Sequence, residues 1–128
     1  MQKILLVDDD PDVIEVSRIV LEKAGFQVVS ASSRTTGMTA VTGNRPDLIV
    51  LDVMMEEPDD GFHLAQDLRA AGIETPILMM TSIGRVSGFS FGIEEELLPV
   101  NAFIEKPATP DILLKSVKQL LNATEGDN

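Results

Sequence analysis

The chain reads as a doubly wound α/β domain on a parallel sheet, and three observations lead there. Short apolar runs recur: Ile4-Leu5-Leu6-Val7, Leu48-Ile49-Val50-Leu51, Ile77-Leu78-Met79-Met80 and Ala102-Phe103-Ile104. They have the length and composition of strands buried on both faces. Segments with helical spacing of apolar residues separate them, and that alternation folds into a parallel sheet with right-handed crossovers. Finally, polar residues follow the runs: Asp8 and Asp9 the first, Asp52 the second, Thr81 the third and Lys106 the last. Ligands of an open parallel sheet sit at the carboxyl ends of its strands. Three carboxylates, one hydroxyl and one ammonium are therefore expected along one edge of the sheet.

Taken in order, the first strand covers about Lys3 to Val7. Asp10-Pro11-Asp12 supplies a cap and an early proline, which start a helix. Val13, Val16, Val20 and Ala24 repeat at helical spacing as its apolar face, and Gly25 is placed to end it. Gln27 to Ala31 is the second strand. Ser33 caps a weak helix carrying Met38 and Val41, which stops near Gly43-Asn44. Pro46-Asp47 leads into the third strand. A third helix runs from about Gly61 to Ala71, with Phe62, Ala65 and Leu68 on one face and His63 on the surface near its start. Thr75-Pro76 introduces the fourth strand, and Val100 to Glu105 forms the fifth. A last helix starts near Pro110, with Leu113, Val117, Leu120 and Leu121 as its apolar stripe. Residues 1–122 are expected to form the domain, and 123–128 a frayed tail.

The 128 residues suit one domain with one real core, and 44% of them are hydrophobic. A net charge of −11 argues against direct binding to nucleic acid or an anionic membrane surface. Most of that acidity is explained by solubility, but solubility does not explain acids at strand ends. The absence of cysteine excludes disulfides and thiol chemistry and fits a reducing cytoplasm. Asp8 comes too early for a signal peptide, and no apolar run approaches the length of a membrane span. The starting methionine and short polar tail suit a stand-alone chain.

Three carboxylates in one small volume repel each other and raise each other's proton affinity, a conflict that a divalent cation resolves. All-oxygen ligation suits a hard ion, and Mg²⁺ characteristically shares one or two carboxylates with a phosphate. The lysine and threonine are then free to grip an anion. The set describes a phosphoryl-transfer site, where positioning and charge neutralisation dominate. No Ser-His-Asp set competes, because His63 is the only histidine, and no Gly-rich GxxxxGK[ST] loop is present.

The residues quoted above, in this order, resemble the receiver domain of bacterial two-component response regulators over nearly the whole chain. The matching pieces are Ile4 to Pro11, Leu51-Asp52-Val53-Met54-Met55 with the later Asp60-Gly61, Met80-Thr81-Ser82, and Phe103-Ile104-Glu105-Lys106-Pro107. The resemblance implies a flavodoxin-like fold with five parallel strands in the order 2-1-3-4-5. It implies that Asp52 accepts a phosphoryl group from a sensor histidine kinase, a phosphotransfer protein or a small phosphodonor. Asp9, Asp52 and the backbone carbonyl of Met54 then ligate Mg²⁺, and Asp8 acts on the metal through water. Thr81 bonds a phosphoryl oxygen. Lys106 pairs with Asp52 at rest and with the phosphoryl group afterwards, and the Lys106–Pro107 bond is expected to be cis. Such a domain catalyses only its own phosphorylation and dephosphorylation, so it is not an enzyme acting on a separate substrate. Its output is a change in binding to a downstream protein, in the cytoplasm.

Each residue also has a plainer explanation. Asp8 to Asp10 can cap the first helix, which is the favoured reading for Asp10 alone. Thr81 can be an ordinary loop hydroxyl and Lys106 a solvated charge. Asp52 has no such alternative, because a buried carboxylate needs a partner. In the family, the threonine moves toward the phosphoryl group and an aromatic residue on strand five, here Phe103, turns inward. Permanent burial of Phe103 is the competing reading.

Two departures from the family pattern stand out. The acidic loop from Met54 to Gly61 is longer than usual and its proline is displaced. The stretch between Thr81 and Lys106 is also long, with Gly84, Gly88 and Gly92 disfavouring a helix. The fourth helix is therefore expected to be short, about Ile93 to Leu98, or shifted. Phe89 and Phe91 either pack back onto the domain or offer docking points. In the family, the residues two past the acceptor and two past the threonine influence water access to the acyl phosphate; here they are the apolar Met54 and Ile83, so the resemblance implies slow self-dephosphorylation.

Two other functions compete. One is a pseudo-receiver whose partner contacts ignore phosphate, and the other is a Mg²⁺-dependent phosphohydrolase on a similar sheet. No response to Mg²⁺ with a phosphoryl mimic marks the first, and ester turnover without a persistent aspartyl phosphate marks the second.

Overall fold

A computed structural model describes residues 2–52, 60–81, 100–105 and 109–126. Five strands and four helices are seen among them: β1 (Lys3–Val7), α1 (Pro11–Lys23), β2 (Gln27–Ala31), α2 (Arg34–Asn44), β3 (Leu48–Asp52), α3 (Asp60–Ala70), β4 (Ile77–Thr81), β5 (Ala102–Glu105) and a C-terminal helix (Pro110–Gly126). The sheet is parallel throughout, in the order β2-β1-β3-β4-β5. β1 and β3 are neighbours although α1, β2 and α2 intervene in the chain. This is the switch point at which a doubly wound sheet opens a crevice.

The two faces of the sheet divide the core as period-two alternation requires. Leu5, Val7, Ile49, Leu51, Ile77 and Met79 point to one side, where Val41 of α2 and Leu64 and Leu68 of α3 cover them. Ile4, Leu6, Leu48, Val50, Leu78 and Met80 point to the other, against Leu21 of α1 and Val117 and Leu121 of the C-terminal helix. Because both faces are covered, the central strands have no polar side and read in sequence as unbroken apolar runs.

Local chemistry sets the helix ends. Asp10 caps α1 by accepting from the Asp12 N–H at 2.9 Å, with Pro11 in the first turn. Ser33 and Thr36 form a reciprocal capping box on α2. Gly25 follows α1 in a left-handed conformation, φ 99°, where a side chain would be strained.

Two expectations are corrected. On α1, Val16 is 53% exposed, and the buried residues are Ser17 and Leu21. Val13 and Val16 lie three apart, so the apolar spacing admits a face rotated by one residue, and contact with the sheet chose Ser17. β5 starts at Ala102 rather than Val100. Before it, Asn101 supplies a side-chain acceptor to the Ile77 N–H at 2.8 Å and donates its own N–H to the Ile77 carbonyl at 2.9 Å. The C-terminal helix runs from Pro110 to Gly126, and Asn122 to Glu125 contain no helix breaker. His63 is exposed on α3, as expected. The Met54–Asp59 loop, Gly84 to Gly92, the expected fourth helix with Phe89 and Phe91, and the Lys106–Pro107 bond lie outside the described residues.

A candidate metal and phosphoryl site at the β1–β3 edge

Strand pairing assembles the site. Val7 lies opposite Leu51 in the β1–β3 register, so Asp8 and Asp52, one residue further along each chain, leave adjacent strand ends. Asp8 and Asp52 are only 5% and 6% exposed, whereas Asp9 is open to solvent. One carboxylate oxygen from each of the three lies within 4.8 Å of the others.

The turn after β1 orients Asp8. Its N–H donates to the Ala31 carbonyl at 3.1 Å, tying the ends of β1 and β2 together. Its Oδ1 accepts the Asp10 N–H at 2.9 Å. Asp10 in turn spends its carboxylate on the α1 cap, so the plainer reading of that residue is the correct one. Beside Asp8 and Asp9, a cleft of about 640 Å³ opens between α1 and the end of β2. Arg18 lines it and donates from Nη2 to Ser30 Oγ at 2.9 Å.

The donor set is all oxygen, anionic and converging, which fits a hard divalent cation and does not fit a soft one. Thr81 ends β4 in register with Glu105 of β5, one residue beyond the Asp52–Met80 pair. Strand order thus brings the Thr81 backbone to the same edge as the acids. Phe103 sits opposite Met79, is partly buried and packs against the core on the α2–α3 side. Lys106 and Met54 lie outside the described residues.

One residue at the site was not singled out in the sequence. Ser17 of α1 is buried at 8% exposure and lines a small cavity beneath Asp8 and Asp52. The available signal was a serine within an apolar helical segment, and it was masked because Val16 was assigned to the inner face.

Comparison with known proteins agrees with this geometry. The family profile described as the response regulator receiver domain matches residues 4–118. Among curated proteins, the chain is 33% identical over 131 residues to the DNA-binding dual master transcriptional regulator RpaA of Synechocystis, covering 98% of this chain and 51% of that protein. It is 32% identical over 124 residues to the alkaline phosphatase synthesis transcriptional regulatory protein PhoP of Bacillus subtilis, covering 97% and 50%. The chain thus spans about half the length of the curated relatives it matches. The crystal structure of the chemotaxis response regulator CheY4 of Vibrio cholerae superposes with a TM-score of 0.80 at 27% identity, covering 93% of this chain and 98% of that one. A receiver domain protein from Clostridium thermocellum shares the fold with a TM-score of 0.83 at 22% identity, each chain covered to 98%.

The doubly wound sheet in the order β2-β1-β3-β4-β5, with three acids at its switch point, is the arrangement expected of a receiver domain. The chain belongs to the response regulator receiver domain family of two-component systems. Among the described residues, no helix is long and apolar enough to cross a membrane.

Proposed function

We propose that the chain is a Mg²⁺-dependent receiver that accepts a phosphoryl group on Asp52 and changes its affinity for a protein partner in response. The observation that carries this reading is the gathering of Asp8, Asp9 and Asp52, from two strands far apart in sequence, within 4.8 Å of one another. Asp9 and Asp52, with the Met54 carbonyl, would hold the ion, and Asp8 would act through water. Bound there, Mg²⁺ supplies positive charge that lets a phosphoryl group approach a carboxylate cluster. An Asp52 carboxylate oxygen attacks phosphorus as the bond to the donor's imidazole nitrogen breaks, and that nitrogen keeps the electron pair. Thr81 would hold a phosphoryl oxygen, and Lys106 would balance its charge. The acyl phosphate then adds about one and a half to two negative charges at the sheet edge.

The donor class is a sensor histidine kinase or phosphotransfer protein, the target is a protein, and the setting is the cytoplasm. The only chemistry is on the domain's own aspartate. A phosphate-independent pseudo-receiver leaves the gathering of three carboxylates without a role. Its expected burial makes Asp52 costly to keep for structure alone.

Titration with Mg²⁺ and beryllofluoride, followed in amide NMR spectra, tests the reading. Shifts centred on Asp52, Thr81 and Phe103 support it. An unchanged spectrum in Mg²⁺ and beryllofluoride overturns it in favour of the pseudo-receiver.

A further inference from the structure

Beneath the acidic cluster lies a small cavity of about 10 Å³, lined by Ser17, Asp8 and Asp52 together with Leu6, Val50 and Met80. About one water-sized sphere of that volume is what a single internal water requires, provided two to four polar groups surround it. Ser17 is more than nine-tenths buried, and it lines this cavity together with the two buried carboxylates. The neighbouring face of α1 is apolar, and this serine interrupts it where the core meets the carboxylates of Asp8 and Asp52.

We propose that this cavity is a site for one bound water that links the Ser17 hydroxyl to the carboxylates of Asp8 and Asp52. The water bonds to the hydroxyl and donates to the acids from the side away from solvent. A carboxylate offers about four lone-pair positions, so this adds to the bonds Asp8 already accepts. Ser17 is thereby a positioning residue. It acts through the water to hold the two buried carboxylates turned toward the open edge, where Asp9 completes the donor set. The proposal rests on the reading that these acids hold Mg²⁺.

The test uses the whole chain. A high-resolution crystal structure should show an ordered water in the cavity, within hydrogen-bond distance of Ser17 Oγ and a carboxylate oxygen. Calorimetric titration with Mg²⁺ should show Ser17→Ala binding about tenfold more weakly, the scale typical of an outer partner of a metal ligand. Ser17→Thr, which keeps the hydroxyl, should stay near wild type. The metal-free thermal stability of Ser17→Ala should equal or exceed that of wild type, since an interior hydroxyl is removed from a helix. A dry cavity, or a Ser17→Ala protein with wild-type affinity, overturns the proposal. A wild type that does not bind Mg²⁺ overturns the functional reading instead, and the crystallographic water still decides the site.

Discussion

Asp8 and Asp52 lie one residue beyond the Val7–Leu51 pair of adjacent parallel strands, so two buried carboxylates from opposite sides of a crossover leave the sheet side by side. Asp9 adds a third acid from solvent. Like charges at this spacing raise the free energy of the metal-free fold, and a bound cation lowers it.

Asp9→Asn separates these two effects. Removing one charge should raise metal-free stability by about 0.5–2 kcal/mol, the usual gain when a strained functional site is relaxed. The same change should weaken Mg²⁺ by at least about tenfold, since a ligand matters more than its outer partners. Thermal melts with and without Mg²⁺ check both signs, because a ligand stabilises in proportion to its occupancy.

Gly37 marks where α2 presses on the sheet. A Cβ there would lie 2.7 Å from Leu64 Cδ2 and 3.4 Å from Val7 Cγ1. Leu64 is fully buried, so it has little room to move. Gly37→Ala should destabilise by about 1 kcal/mol, because overpacking of about 1–3 kcal/mol exceeds the helix-propensity gain of about 1 kcal/mol. Gly43 lies in the same helix with nothing within 4 Å of a built Cβ. Gly43→Ala should stabilise by up to about 1 kcal/mol. Urea denaturation of the pair reads the difference.

Asn101 and Arg69 close the opposite edge of the sheet. Arg69 donates from Nη1 to the carbonyls of Ile73 and Thr75, at 2.8 and 2.9 Å, and from Nη2 to Asn101 Oδ1 at 3.0 Å. Burial holds the guanidinium below its ordinary pKa, with Glu74 opposing. Asn101→Ala leaves the Ile77 N–H without its side-chain acceptor and should cost about 1–3 kcal/mol. Asn101→Asp keeps the acceptor and should fall within about 0.5 kcal/mol of wild type. Chemical denaturation distinguishes the two.

Much of this architecture was legible in the sequence because burial on both faces writes itself as unbroken runs. β1 and β2 match the bounds read from composition, and β3 and β4 keep their polar terminal residues. That Asp8, Asp9 and Asp52 gather was legible because each follows such a run, and parallel strands end on one edge of the sheet. The inner face of α1 was not, because valines spaced three and four apart fit two neighbouring orientations and only the sheet decides between them. The start of β5 was missed because Asn101 imitates strand pairing with its side chain, which propensity does not register. Ser17 was hidden by the α1 error, and its environment comes from residues on three different elements.

The most direct test is intact-mass analysis of the chain treated with a small acyl phosphate donor, with and without Mg²⁺, beside Asp52→Asn. One base-labile phosphoryl adduct on the wild type, dependent on Mg²⁺ and missing from Asp52→Asn, is the expected result. An adduct of equal yield on Asp52→Asn, or none on the wild type under donor excess, would contradict the assignment of Asp52 as acceptor.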